Sequence, residues 1–307
     1  MTQKLFLPIF VVIFFWGCKN SQPSKPVDNY NYTQIGEITA KDMSEISGIA
    51  LSQQNAGTLW VINDSGNDAN LYALFEDGIT LATVKIKGAD NKDWEDLAAF
   101  SENDVHYVLI ADTGGNTSNR EKFDIYIVKE PKLSGDAAAN ISLDRQITFR
   151  YEDEARDCEA AAVDVAHQKI YLLSKRSVPA VLYELPLHPN NDDVQVAKRL
   201  SEMTTIPQPT KDEIQNTYDE FHAQPTSMDI APAGDKITVL TYRRLFIWDK
   251  AAGETWVEAM KTAPTQIEFP EMEQAEAISF YRDGVSVLVT SEHVPAPIYQ
   301  IKPSASL

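Results

Sequence analysis

One segment of this sequence, residues 93–131, recurs with variation along the chain, and that recurrence limits what the chain can fold into. A repeated strand-rich unit must stack its copies or close them into a ring. The segment opens Asp93-Trp94-Glu95-Asp96-Leu97-Ala98-Ala99-Phe100, continues into Val108-Leu109-Ile110-Ala111-Asp112, and closes on Ile125-Tyr126-Ile127-Val128. Acidic side chains stand where its first strand begins and where its second strand ends.

Five such units line up. Their first strands open at Glu45, Asp93, Asp157, Pro225 and Gln274. Their second strands, over 59–64, 108–112, 171–175, 239–242 and 288–292, are apolar, rich in β-formers and end on a polar residue. Third strands carry Leu71-Tyr72, Ile125-Tyr126, Leu182-Tyr183, Leu245-Phe246 and Ile298-Tyr299. Fourth strands fit at 80–86, 146–151, 194–200 and 265–269, and the last unit ends without room for one. A spare strand over 32–38 precedes the first unit. If it completes the last sheet, no free edge remains, as a closed all-β ring requires. The expected fold is therefore an all-β, five-bladed β-propeller. A six-bladed alternative would need another unit within 201–223, where 211–221 reads as a short helix or loop.

In a propeller, the loops entering the innermost strand and leaving the second strand share one face. The polar positions Glu45, Asp93, Glu95, Asp157, Glu159, Ser227 and Glu276, with Asp64, Asp112, Lys175, Arg243 and Glu292, should converge on one mouth of the channel. Period-two alternation places Asp93 and Glu95 on one side of their strand, with Trp94 opposite. Two readings are open for each acid. It can bind a ligand, the acids holding a hard cation such as calcium and Lys175, Arg176, Arg243 and Arg244 an anion. It can instead brace exposed amides of the neighbouring blade. Glu95 and Asp112 are the candidate metal ligands, and Asn116 joins the candidate ligand-binding set. The run Asp64-Ser65-Gly66-Asn67-Asp68 is oxygen-rich without EF-hand spacing and fits a tight turn equally well.

The N-terminus is a separate module. Lys4 is the only charge in residues 1–17, residues 5–16 are apolar apart from Pro8, and Gly17-Cys18 follows. This is the layout of a bacterial secretory signal ending at a lipidated cysteine, and the apolar run is short for a membrane span. The expected organisation is signal 1–17, flexible polar tether 18–31 and propeller 32–307, anchored outside the cytoplasm. Only Cys158 would remain in the mature chain besides Cys18, so no internal disulfide is expected. A formal net charge of −18 and a pI of about 4.6 argue against nucleic-acid partners, and the expected state is a monomer.

Other chemistry is thin. The sequence lacks a Gly-x-Ser-x-Gly elbow, a His-Glu-x-x-His pair and a phosphate-cradling glycine loop. Its five histidines include no close pair, which argues against zinc. His222 should face the channel mouth as a surface histidine or a base, and Cys158 reads as a buried small hydrophobe.

Glu45-Ile46-Ser47-Gly48-Ile49, Asn63-Asp64-Ser65-Gly66-Asn67, Asp93-Trp94-Glu95-Asp96, Ile110-Ala111-Asp112 with Asn116, Arg120, Ile125-Tyr126, Glu130-Pro131 and the Glu-Ala pairs at 159 and 276 together resemble a family of secreted bacterial β-propellers. That family is distantly similar to phytase-like and NHL-type propellers, and the resemblance covers residues 40–300. The second loop departs from it, reading Gly114-Gly115-Asn116 where the resemblance implies Gly-Asp-Asn, one oxygen ligand fewer. Two functions follow as expectations: a binding module for a small polar or anionic ligand or an envelope protein, or the calcium-assisted phosphate-ester or ester hydrolase that the phytase comparison implies.

Overall fold

Small residues at the start of each repeat let several strands crowd round one axis. A β-carbon added at Gly48 would stand 2.9 Å from the backbone nitrogen of Leu97 in the next repeat, the close approach for which strands reserve glycine. Alanines 98, 160, 161, 162 and 277 play the same part and are fully buried or nearly so.

The computed structural model describes residues 29–115, 120–133, 140–191, 193–208 and 224–304. Its strands are β1 (Tyr30–Ile38), β2 (Ile46–Leu51), β3 (Thr58–Asn63), β4 (Asn70–Phe75), β5 (Thr80–Lys87), β6 (Trp94–Glu102) and β7 (Val105–Asp112). Next come β8 (Phe123–Lys129), β9 (Asn140–Ser142), β10 (Arg145–Tyr151), β11 (Cys158–Asp164), β12 (Lys169–Ser174), β13 (Val181–Pro186) and β14 (Gln195–Glu202). The chain ends with β15 (Pro225–Ile230), β16 (Lys236–Thr241), β17 (Arg244–Asp249), β18 (Thr265–Glu268), β19 (Ala275–Phe280), β20 (Val287–Ser291) and β21 (Ala296–Pro303).

Among the described residues these strands form five antiparallel four-stranded units: β2–β5, β6–β8 with β10, β11–β14, β15–β18, and β19–β21 completed by β1. Their first strands β2, β6, β11, β15 and β19 stand side by side in that order, and β19 returns to β2. This is a β-propeller. The spare N-terminal strand pairs with β21 from Tyr30↔Pro303 to Ile38↔Ala296, so it begins at Tyr30, inside the stretch expected as tether. Three of the outer edges are covered too, because β10 pairs in parallel with β14 and the short β9 with β5.

Aromatic and aliphatic side chains fill the space between neighbouring units, with Trp60, Trp94, Trp248 and Trp256 fully buried. Each indole needs a partner once dry. Trp60 Nε1 donates to Glu130 Oε1 at 2.8 Å and Trp94 Nε1 to the Asp90 carbonyl at 3.1 Å. Trp256 begins a four-residue helix, α1 (Trp256–Ala259), started by a Thr255–Glu258 capping box, and its Nε1 donates to Asp164 at 2.9 Å. Cys158 is buried, as expected, and burial pushes its thiol far up from the ordinary range. No described helix is long and apolar enough to cross a membrane. Cys18, Asn116, His222 and residues 211–221 lie outside the described residues.

Candidate functional site

Every inner strand carries the same irregularity near its start. The register with the second strand skips one residue: Ser47, Glu95, Glu159, Thr226 and Glu276. A bulge leaves its extra residue outside the ladder and re-aims the side chain. Repeated round the ring, it presents Ser47, Glu95, Glu159 and Glu276 to one cavity of about 180 Å³, whose other walls are Ile46, Asp64, Lys175, Arg176, Tyr242, Gln274 and Glu292. The mouth therefore gathers Asp64, Glu95, Glu159, Lys175, Glu276 and Glu292 from the residues singled out in the sequence.

The charges in this mouth fall into two halves. In one, Lys175 ion-pairs with Glu159, lies 3.8 Å from Glu276, and stacks its ammonium 5.2 Å from the Tyr242 ring. Burial alone would lower the Lys175 pKa, but Glu159 and Glu276 outweigh it and hold the ammonium well above the usual lysine range. Arg176 Nε meets Asp157 Oδ2 at 2.6 Å, and the Gly115 N–H donates to Asp157 Oδ1 at 2.9 Å.

The other half is acidic. The Asp64 and Asp93 carboxyls lie within 4.8 Å of each other, and burial with Asp64 alongside pushes Asp93 up to about 6. Glu95 stands between the halves. It is 5% exposed and its Oε1 meets no hydrogen-bond donor among the described residues. Burial first, then the charges of Glu159 and Asp64, hold it well above the usual carboxylate range. Ser47 Oγ, also lining the cavity, is likewise buried without a partner. One oxygen from each of Asp64, Asp93 and Glu95 lies within 4.8 Å of the others, and the same holds for Glu95, Asp157 and Glu159.

Acids that brace the blades look different. Asp96, one residue on from Glu95, is fully buried and accepts from the Ala161 N–H at 2.8 Å, the Met228 N–H at 3.1 Å and the Ser227 hydroxyl at 2.9 Å. It thereby ties the second unit to the third and fourth. Glu130 accepts from the N–H groups of Gln53 and Gln54, each at 3.1 Å, from Trp60 and from the Ser52 hydroxyl. Buried acids of this kind are satisfied. Glu95 is not.

No protein-family model matches the chain, and no curated protein matches it in sequence. Among solved structures, it is similar to the major allergen Mala s 1 of Malassezia sympodialis, with a TM-score of 0.55 over 88% of this chain and 96% of that one, at 10% identity. The likeness is one of fold: both chains are β-propellers.

The remaining expected residues sit elsewhere. Asp112 is not among the converging carboxylates. Its Oδ1 accepts from Arg120 Nη1 at 2.7 Å and from the Asp93 N–H at 3.1 Å, and Arg120 also donates to the Gly114 carbonyl. Arg243 pairs with Glu271 and Arg244 with Glu268, both away from the cavity lining. Glu45 is exposed and accepts from Asn67 Nδ2 at 2.8 Å, and Asn67 folds the 64–68 loop back on itself as a turn. Ser227 serves Asp96.

Pro225↔Thr241 is the pair that matches Trp94↔Asp112. Gln224, not Pro225, therefore occupies the place of Asp93, and Thr226 that of Glu95. The positions that follow the second strands are likewise Asp64, Thr113, Lys175, Tyr242 and Glu292. Unequal hairpins between first and second strands shift the apparent alignment by one residue in the second and fourth units. Tyr242 was missed because of that shift and Ser47 because it carries no charge.

Proposed function

We propose that this chain is a binding module of the bacterial cell envelope, held by a lipid on Cys18, which seats a small polar ligand in the acidic mouth of its propeller. The observation that carries the reading is the buried, unpartnered Oε1 of Glu95, a residue that lines one cavity together with Ser47, whose Oγ is likewise buried without a partner. Leaving a buried polar atom unmade costs about 1–3 kcal/mol, a strain that a ligand would relieve. The cavity is small against the roughly 300–1,000 Å³ of sites for drug-sized molecules, so it suits an ion with its waters or a compact polar group. The test is a thermal-shift panel of ions and small polar compounds on wild type and Glu95→Gln. A ligand at about 100 times its Kd adds about 2.7 kcal/mol of stability. Stabilisation of the wild type that is lost in the variant supports the reading, and equal responses contradict it.

A hydrolase is the second reading. It is favoured by Asp64, with the Asp93 carboxyl within 4.8 Å of its own, lining the same cavity as Lys175 and Arg176, an arrangement that offers both proton transfer and anion binding. A phosphate-ester and ester panel with calcium or chelator separates it from the first, since binding alone gives no turnover.

A further inference from the structure

We infer that Asp64, Asp93 and Glu95 form a site for a single divalent cation, calcium by the chemistry of its donors, an inference that rests on reading the mouth as a binding site. The three carboxylates offer oxygens within 4.8 Å of one another. A calcium ion bonded to oxygen at about 2.4 Å spans that distance, and its coordination tolerates three carboxylates with waters completing the shell. Magnesium holds most of its waters and takes one or two carboxylates, so it fits this donor set less well.

The alternative group, Glu95 with Asp157 and Glu159, already has its cations. Arg176 and the Gly115 N–H take both Asp157 oxygens, and Lys175 takes Glu159. A divalent ion placed there would face two fixed positive charges. The Asp64–Asp93 side holds instead two carboxyls within 4.8 Å of each other, whose mutual repulsion a cation would relieve. Asp64 and Asp93 are only part-buried, leaving the ion a path from solvent, while Glu95 is buried and keeps one oxygen without a hydrogen-bond partner.

The experiment is isothermal titration of chelator-stripped protein with calcium chloride, repeated with magnesium chloride and on three variants. The expected result is one calcium per chain, with magnesium weaker. Glu95→Gln and Asp64→Asn each weaken calcium by about tenfold or more, and Asp229→Asn, the same charge change near the far end of the inner strand β15 and outside this cavity, leaves it unaltered. Absence of calcium binding overturns the inference, as does equal affinity in wild type and Glu95→Gln. If calcium fails while Glu95→Gln still abolishes stabilisation by a compound of the thermal-shift panel, the cation site falls and the binding-site reading stands. If the variant changes neither response, both fall.

Discussion

Gly114 lies against Glu95. A β-carbon on Gly114 would overlap the Glu95 Oε1 atom and the Asp93 carboxylate, so the backbone of the second loop sets the position of two of the three proposed cation ligands. Gly114→Ala should therefore displace both carboxylates. The expected cost is about 1–3 kcal/mol, as for other insertions into packed sites, together with loss of the calcium response. A thermal melt with and without calcium measures both, and a variant that still responds like wild type contradicts this arrangement.

Glu95 and Asp96 are neighbours with opposite expected mutational effects. Asp96→Ala strands the Ala161 and Met228 N–H groups that Asp96 serves, so denaturant unfolding should show a loss on the order of 3 kcal/mol. Glu95→Gln removes a charge that crowds against Glu159, Asp64, Asp157 and Asp93. In chelator it should melt higher than wild type, about 2–4 °C for each kcal/mol of repulsion relieved. A Glu95→Gln protein that melts lower would make Glu95 a brace like Asp96.

Strand positions were legible because each repeat combines a small-residue inner strand, an apolar second strand and an aliphatic–aromatic pair such as Ile125-Tyr126. The closing role of the N-terminal strand was legible too, from the missing fourth strand of the last repeat. Bulges were not, since the skipped residue of a bulge carries no composition signal. Without them the polar positions could be gathered to one mouth but not sorted. Asp112 and Glu95 look alike in sequence and each keeps one buried oxygen without a donor, yet Asp112 also pairs with Arg120 while the charges that act most on Glu95 are those of other acids. Glu130, visible only as part of a Glu-Pro pair, proved the most heavily bonded brace between the first two units.

Stability should fall as pH rises through neutrality when no cation is present. Burial pushes Asp229 up to about 7, with only the N–H groups of Phe280 and Ile230 and the Ser279 hydroxyl opposing it. Burial likewise raises Glu276 to about 7, with Lys175 opposing the shift and Glu292 adding to it. Both groups bind more protons in the folded than in the unfolded chain over this range. Their contribution is therefore full below the unfolded carboxylate pKa and is lost as pH passes about 7. Melts in chelator from about pH 5 to about pH 8 should show a declining melting temperature, and Asp229→Asn should flatten the decline. A rising melting temperature would contradict the sign.

The proposed lipid anchor on Cys18 is tested by replacing that cysteine. The Cys18→Ser protein should leave the membrane fraction or accumulate with its first 17 residues uncleaved. Fractionation with N-terminal sequencing checks this, and a processed variant that stays fully membrane-bound would rule out the lipid anchor.

The proposed cation site can be seen directly. Crystals grown with manganese or a lanthanide in place of calcium, and measured at that metal's absorption edge, give an anomalous map that locates the ion without reference to the protein. The expected result is one strong peak between the carboxylates of Asp64, Asp93 and Glu95, absent from Glu95→Gln crystals treated alike. A map with no peak there, or a peak that persists in the variant, contradicts the cation site.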